Sequence, residues 1–197
     1  MKFALATANR GKIAEMSEIM AGLGIEIVTR DELGIDFDIE ETGTTFYENA
    51  LLKAQAICDA TGLPAIADDS GLCIDALDGA PGLYSSSFGG INLSDSERCD
   101  FLLNKLKNME LRTAKFVCYI VCVFPSGEII KAVGECRGEI LEAPQGTNGF
   151  GYDPIFRTEG QTRSMAELTS EKKNEISHRG KALKAFSKLL KSYVKKQ

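Results

Sequence analysis

The chain has 197 residues, 44% of them hydrophobic, which is enough apolar side chain to bury one domain and too much for a disordered segment. Its formal net charge of −5 at pH 7 counts against a general nucleic-acid binder, whose affinity rests on cations meeting phosphates, although a local basic cluster could still hold one nucleotide. The opening run Met1–Thr7 is too short for a secretion signal and no later run reaches membrane-spanning length, so no membrane partner and a cytoplasmic location are expected.

Lys2 to Thr7 reads as a buried strand and Lys12 to Leu23 as a helix, with Ile13, Met16, Ile19, Met20 and Leu23 at helical spacing. Ile25 to Thr29 follows as a second strand. Thr45 to Thr61 is a second helix, with Phe46, Ala50, Leu51, Ala54 and Ile57 inward, and Pro64 to Ala67 a third strand. Gly79 to Gly90 reads as a loop, and Ser94-Asp95-Ser96-Glu97 as a capping box that opens a third helix through about Lys107. Ala114 to Phe124 and Glu128 to Arg137, joined at Pro125-Ser126-Gly127, form a long hairpin. Its first strand is apolar on both faces and is expected to be central. The last helix spans Glu171 to Val194, with Ile176, Leu183, Phe186, Leu190 and Tyr193 inward. The expected architecture is one α/β domain over residues 1–197, with helices packed around a mixed sheet that carries the hairpin, and an active-site cleft between two lobes. Six cysteines without a C-x-x-C pair read as reduced packing residues.

Asp68-Asp69-Ser70-Gly71 follows the apolar run Leu63–Ala67. Carboxylates at the end of a buried strand are costly unless a cation or donor meets them, and one or two such groups suit Mg²⁺, which shares its shell with waters and substrate phosphates. A charged strand-end turn is the bland alternative. Thr7-Ala8-Asn9-Arg10-Gly11-Lys12 leaves a strand and enters a helix, where exposed amides, the helix dipole and Lys12 favour a phosphate; read blandly, it is a helix start capped by Asn9. Glu40-Glu41-Thr42-Gly43 precedes the second helix, whose early turns present Glu48, Asn49 and Lys53. Gly149-Phe150-Gly151-Tyr152-Asp153-Pro154 is a turn in which either aromatic could stack on a base or plug the core. Ser177-His178-Arg179-Gly180 holds the only histidine of the chain, close to Lys173 and Asn174.

These segments, in this order, resemble the inosine triphosphate pyrophosphatase family. The match runs nearly end to end: T-x-N-x-x-K at Thr7, Asn9 and Lys12; E-T-G-x-T-F-x-E-N-A-x-x-K-A from Glu41 to Ala54; A-D-D-S-G from Ala67; G-A-P-G from Gly79; G-F-G-Y-D-P from Gly149; S-M-A-E-L from Ser164; and K-N-x-I-S-H-R-G from Lys173. One departure is Ser87, where the family reads arginine after Ser-Ala. The resemblance implies cleavage of the α–β phosphoanhydride of non-standard purine nucleoside triphosphates such as ITP, dITP and XTP. Asp69 is then the general base and a Mg²⁺ ligand, with Glu40 or its neighbour Glu41 as the second metal carboxylate. It further implies phosphate and sugar contacts from Thr7, Ala8, Asn9, Arg10, Gly11, Lys12, Lys53, Ser70 and Lys173. Phe150, Gly151, Tyr152, Asp153, His178 and Arg179 would form the base pocket, with a His178 or Arg179 donor to O6. A homodimer is also implied. A catalytically silent nucleotide-binding regulator would have lost the carboxylates, and a Mg²⁺-dependent hydrolase of ordinary nucleotides would differ in the base pocket.

Overall fold

The computed structural model describes residues 2–22 and 24–195. Three short strands, β1 (Lys2–Leu5), β2 (Glu26–Thr29) and β6 (Phe156–Thr158), and three long ones, β3 (Ala65–Ile74), β4 (Thr113–Val123) and β5 (Ile129–Ile140), form one sheet in the order β2-β1-β3-β4-β5-β6. Strand β1 is parallel to β2, with Phe3 opposite Ile27, and to β3, with Ala4 opposite Ala65, whereas β5 and β6 are antiparallel. Parallel neighbours need crossover connections, and two helices supply them: α1 (Arg10–Ala21) and α2 (Phe46–Thr61). The mixed α/β sheet expected from the sequence is therefore present.

The described residues group into two compact units, one from 2–22, 24–69, 118–134 and 179–195, the other from 70–117 and 135–178. Strand alternation gives the first unit two apolar layers. Phe3 and Leu5 of β1 join Cys118, Ile120 and Cys122 of β4 against Met16 and Met20 of α1 and against Leu183, Phe186 and Leu190 of α5 (His178–Val194). Ala4 and Ala6, on the opposite face, join Val121 and Val123 against Ala50, Ala54 and Ile57 of α2. With both faces covered, β4 is central, as its pattern predicts. The second unit has its own core, in which Cys99 and Leu102 from α3 (Asp95–Lys105) and Leu106 just after it pack with Leu72, Phe116, Ile140, Tyr152 and Phe156.

Helix starts follow local chemistry. Glu48 Oε2 accepts from the Thr45 amide at 3.1 Å while Thr45 caps Glu48, and Ser94 and Glu97 close the expected capping box of α3. Two expectations are corrected, and one strand is added. The third strand does not stop at Ala67 but runs to Ile74, so Asp68-Asp69-Ser70-Gly71 lies inside a strand rather than at its end. The last helix is two, α4 (Ser170–Ile176) and α5, broken at Ser177, whose ψ of 161° is extended. Ile176 packs in the core of the second unit and Leu183 in that of the first, and one straight helical face does not serve both. Strand β6, three residues beside a Pro-containing turn, has too short a pattern to read. Leu23, expected inward on α1, lies outside the described residues.

Candidate active site

In the first unit, Thr7 to Asn9 leave β1 and α1 begins at Arg10. Asn9 Oδ1 accepts from the Lys12 amide at 3.1 Å and Thr7 Oγ1 from the Asn9 amide at 3.2 Å, so this loop is an Asn-capped helix start whose Ala8, Asn9 and Arg10 are exposed. Gly11 and Lys12 form the next half-buried step of the helix. The Lys12 ammonium reaches Asp68 Oδ2 at 3.1 Å.

Because successive strand residues face opposite ways, the two adjacent aspartates do different work. Asp68 is fully buried on the α1/α5 side and meets Arg179 as well as Lys12, through Nη2 at 3.1 Å and Nε at 3.3 Å. Arg179, 2% exposed, also donates to Glu15. Burial alone drives the Asp68 carboxyl toward neutrality; Lys12, Arg179 and Lys53 together outweigh it and hold the group well below the usual carboxylate range. The buried Cys118 thiol beside it is pushed up to about 12, by burial first and by the Asp68 charge second.

Asp69 faces α2. Its Oδ1 lies 3.5 Å from the Lys53 ammonium and its Oδ2 3.4 Å from Asn49 Nδ2, while Lys53 also pairs with Glu41 Oε1 at 2.8 Å. Burial raises the Asp69 carboxyl above its ordinary value despite Lys53 and Lys12. Burial pulls the other way on Lys53, yet Asp69, Asp68 and Glu41 keep its ammonium above the ordinary lysine value and therefore charged. Of the two candidate carboxylates ahead of α2, both of them exposed, Glu41 is the one that pairs with Lys53.

In the second unit, Ser70 continues β3, and the turn after Gly149 is held from three sides. Asp153 Oδ2 accepts from the Phe150 amide at 2.9 Å and from Lys173 Nζ at 2.5 Å, and the same ammonium sits 4.7 Å from the Phe150 ring centroid. A side chain at Gly149, where φ is 77°, would collide with the Asp153 carboxylate. Asp95 Oδ2 accepts from the Gly151 amide at 2.6 Å, and Cys99 donates to the Gly151 carbonyl. Tyr152 is buried and its hydroxyl donates to the Ser85 carbonyl at 2.8 Å, so it plugs the core and leaves half-buried Phe150 as the stacking face. His178 is buried with its ring stacked on Phe116, 4.7 Å between centroids and 12° between planes. Near Ser87, buried Arg98 donates to the carbonyls of Phe88, Gly90 and Leu93. A cavity of about 620 Å³ along β5 and β6 contains none of these residues, and its Arg157 is already paired with Glu139.

A sequence model of the Ham1 family matches residues 3–189. The chain belongs to the Ham1 family. It is 49% identical to the dITP/XTP pyrophosphatase of Streptomyces coelicolor, covering 92% of this chain and 93% of that relative, and 46% identical to the dITP/XTP pyrophosphatase of Bacillus subtilis, covering 94% and 95%. Among solved structures, the Ham1 protein of Staphylococcus aureus superposes with a TM-score of 0.88 at 42% identity, covering 98% of this chain and all of that one.

For a Ham1-family chain the donor set matters, because the resemblance implies Mg²⁺. Among the described residues no three His, Cys, Asp or Glu side chains are grouped as a metal cage. Asp69 and Glu41 do converge on one cation, the Lys53 ammonium, and offer hard oxygen donors. That number fits an ion which takes one or two carboxylates and completes its shell with water and phosphate. Sequence reasoning missed Glu15 and Asp95 as partners of site residues, and it named Asn49 beside Lys53 without a partner.

Proposed function

We propose that this chain hydrolyses non-standard purine nucleoside triphosphates, ITP, dITP and XTP, to the monophosphate and pyrophosphate. The observation that carries the reading is near-full-length identity of 45–49% to relatives named dITP/XTP pyrophosphatase. The site chemistry supports it. Asp69, a carboxylate whose proton affinity is raised, takes a proton from the attacking water. The water oxygen bonds to the α-phosphorus, the α–β bridging bond breaks, and pyrophosphate leaves. Lys12 and Lys53, with the amides and side chains of Thr7 to Gly11 and with Ser70, hold the phosphates and sugar as donors and point charges. Asp69 and Glu41 would hold Mg²⁺, with Glu40 the alternative, and the bound ion neutralises charge developing on the phosphates.

At the base end, Phe150 supplies the stacking face, with Gly151 and Tyr152 shaping the turn and Asp153 and Lys173 fixing it. His178 donates to O6. Adenine offers an amino group there instead, so a donor aimed at O6 leaves ATP unpaired. Arg179 acts by holding Asp68, since its guanidinium already meets Asp68 and Glu15. We further propose a cytoplasmic homodimer; among the described residues no helix is long and apolar enough to cross a membrane. Sedimentation at micromolar concentration measures the oligomeric state. The activity is tested with ITP, dITP, XTP, ATP, GTP and UTP, with and without Mg²⁺. Pyrophosphate plus IMP or XMP is the expected product; orthophosphate, or a preference for UTP, overturns the reading.

A further inference from the structure

Helix α2 presents Asn49 and Lys53 one turn apart, and both side chains span the same two places. Lys53 joins Glu41 to Asp69 by charge. Asn49 does it by hydrogen bonding: its Oδ1 accepts from the Gly43 amide at 2.8 Å, and its Nδ2 faces Asp69 Oδ2 at 3.4 Å. Asn49 is only 3% exposed, where a polar side chain is costly unless its bonds are made. Space is reserved for it. A Cβ added at Gly43 would stand 2.6 Å from Asn49 Oδ1 and 2.7 Å from Glu48 Cβ, so the glycine is needed for close approach and not for a special backbone angle. A side-chain amide accepts on one side and donates on the other without adding charge, which neither carboxylate nor ammonium can do.

We infer that Asn49 is a positioning residue, whose amide locks the Glu41–Gly43 strap and the Asp69 carboxylate into one geometry without touching substrate. The inference rests on the hydrolysis proposed above. Lys53 supplies the charge that keeps the two carboxylates together, and Asn49 supplies direction, turning one Asp69 oxygen toward the helix.

Asn49→Ala and Asn49→Asp separate this role from a structural one. Aspartate can still accept from Gly43 but opposes Asp69 with a second negative charge. Both variants are expected to lower kcat for ITP by roughly 10–100-fold, the range for losing an outer partner of a ligand side chain, with KM within about threefold. Recovery of kcat in Asn49→Asp, or a change confined to KM, overturns the inference. A readout free of turnover is denaturant unfolding of the metal-free protein for Asn49→Ala, Asp69→Asn and the double variant, where less-than-additive effects are expected and strict additivity overturns the link. Should Asn49→Ala fail to fold, Gly43→Ala, which displaces the same amide, carries the test. If the wild type releases no pyrophosphate, the functional reading fails by itself and the unfolding cycle still decides whether Asn49 and Asp69 are coupled.

Discussion

The two units handle polarity in opposite ways. In the first, the paired carboxylates meet cationic side chains: Lys12 and Arg179 on Asp68, Lys53 on Asp69 and Glu41. In the second, side chains mostly meet backbone, as when Asp95 takes the Gly151 amide, Asp153 the Phe150 amide and Tyr152 the Ser85 carbonyl. The contrast suits the tasks we propose for the two units. Triphosphate chemistry needs full charges, and a buried charge must be balanced by another. Reading a base needs a shaped turn, and a shape is held by tying down its backbone.

The sharpest way to break the contrast lies within the first unit, between neighbours on one strand. Asp69→Asn is expected to cut kcat by about 10²–10⁴-fold, the usual range for a general base, while leaving stability unchanged or slightly higher. The sign follows from its raised carboxyl value: near neutral pH the ionised group costs the folded state energy, and an amide removes that cost. Steady-state kinetics and thermal unfolding of one preparation measure both; turnover within a few-fold of wild type would remove Asp69 from the mechanism.

Asp68→Asn should do the reverse, costing about 3–5 kcal/mol of stability because Arg179 and Lys12 lose a buried counter-charge. Since folding lowers the Asp68 value, its contribution is complete above the unfolded carboxyl value of about 4 and is lost only as pH falls through the lower folded one. The gap between the two proteins in urea midpoint should therefore stay constant from pH 8 to about 5 and narrow in stronger acid. A gap that widens on acidification contradicts the assignment.

A smaller effect tests the division between the units. His178→Ala is expected to lower the ITP-over-ATP ratio of kcat/KM by roughly tenfold, the worth of one donor at about 1.5 kcal/mol, whereas Arg179→Ala should depress both substrates alike. The opposite pattern would make Arg179 the reader of the base. Smallest of all, Tyr152→Phe removes one hydrogen bond and leaves the plug in place. A loss of about 0.5–1.5 kcal/mol in unfolding free energy is expected, with base preference unchanged; a shift in preference would show that the hydroxyl does more than anchor Ser85.

Much of this was legible in the chain. Periodicity located α1, α2 and the β4–β5 hairpin because each buries a regular apolar stripe, and the capping box at Ser94 marked the start of α3 through contacts four residues long. The resemblance named Lys12 and Arg179, which the structure sets on Asp68, Lys53, which it sets on Asp69, and Asp153 with Lys173, which it pairs, but not their partners Glu15 and Asp95. What the sequence by itself determined, then, was local: where elements begin, which faces are apolar, and which segments carry charge. Tertiary structure decided what depends on partners far along the chain. It moved Asp68-Asp69 from the expected end of a strand to opposite faces within one, because β3 continues between β1 and β4. It split the final helix at Ser177, because Ile176 and Leu183 belong to different cores. It set Arg179 on Asp68, 111 residues away, and Glu41 rather than Glu40 on Lys53. A spacing rule sees neighbours within a turn or two; the partner of a buried charge is whichever opposite charge the fold brings within about 3 Å, and that is a property of packing.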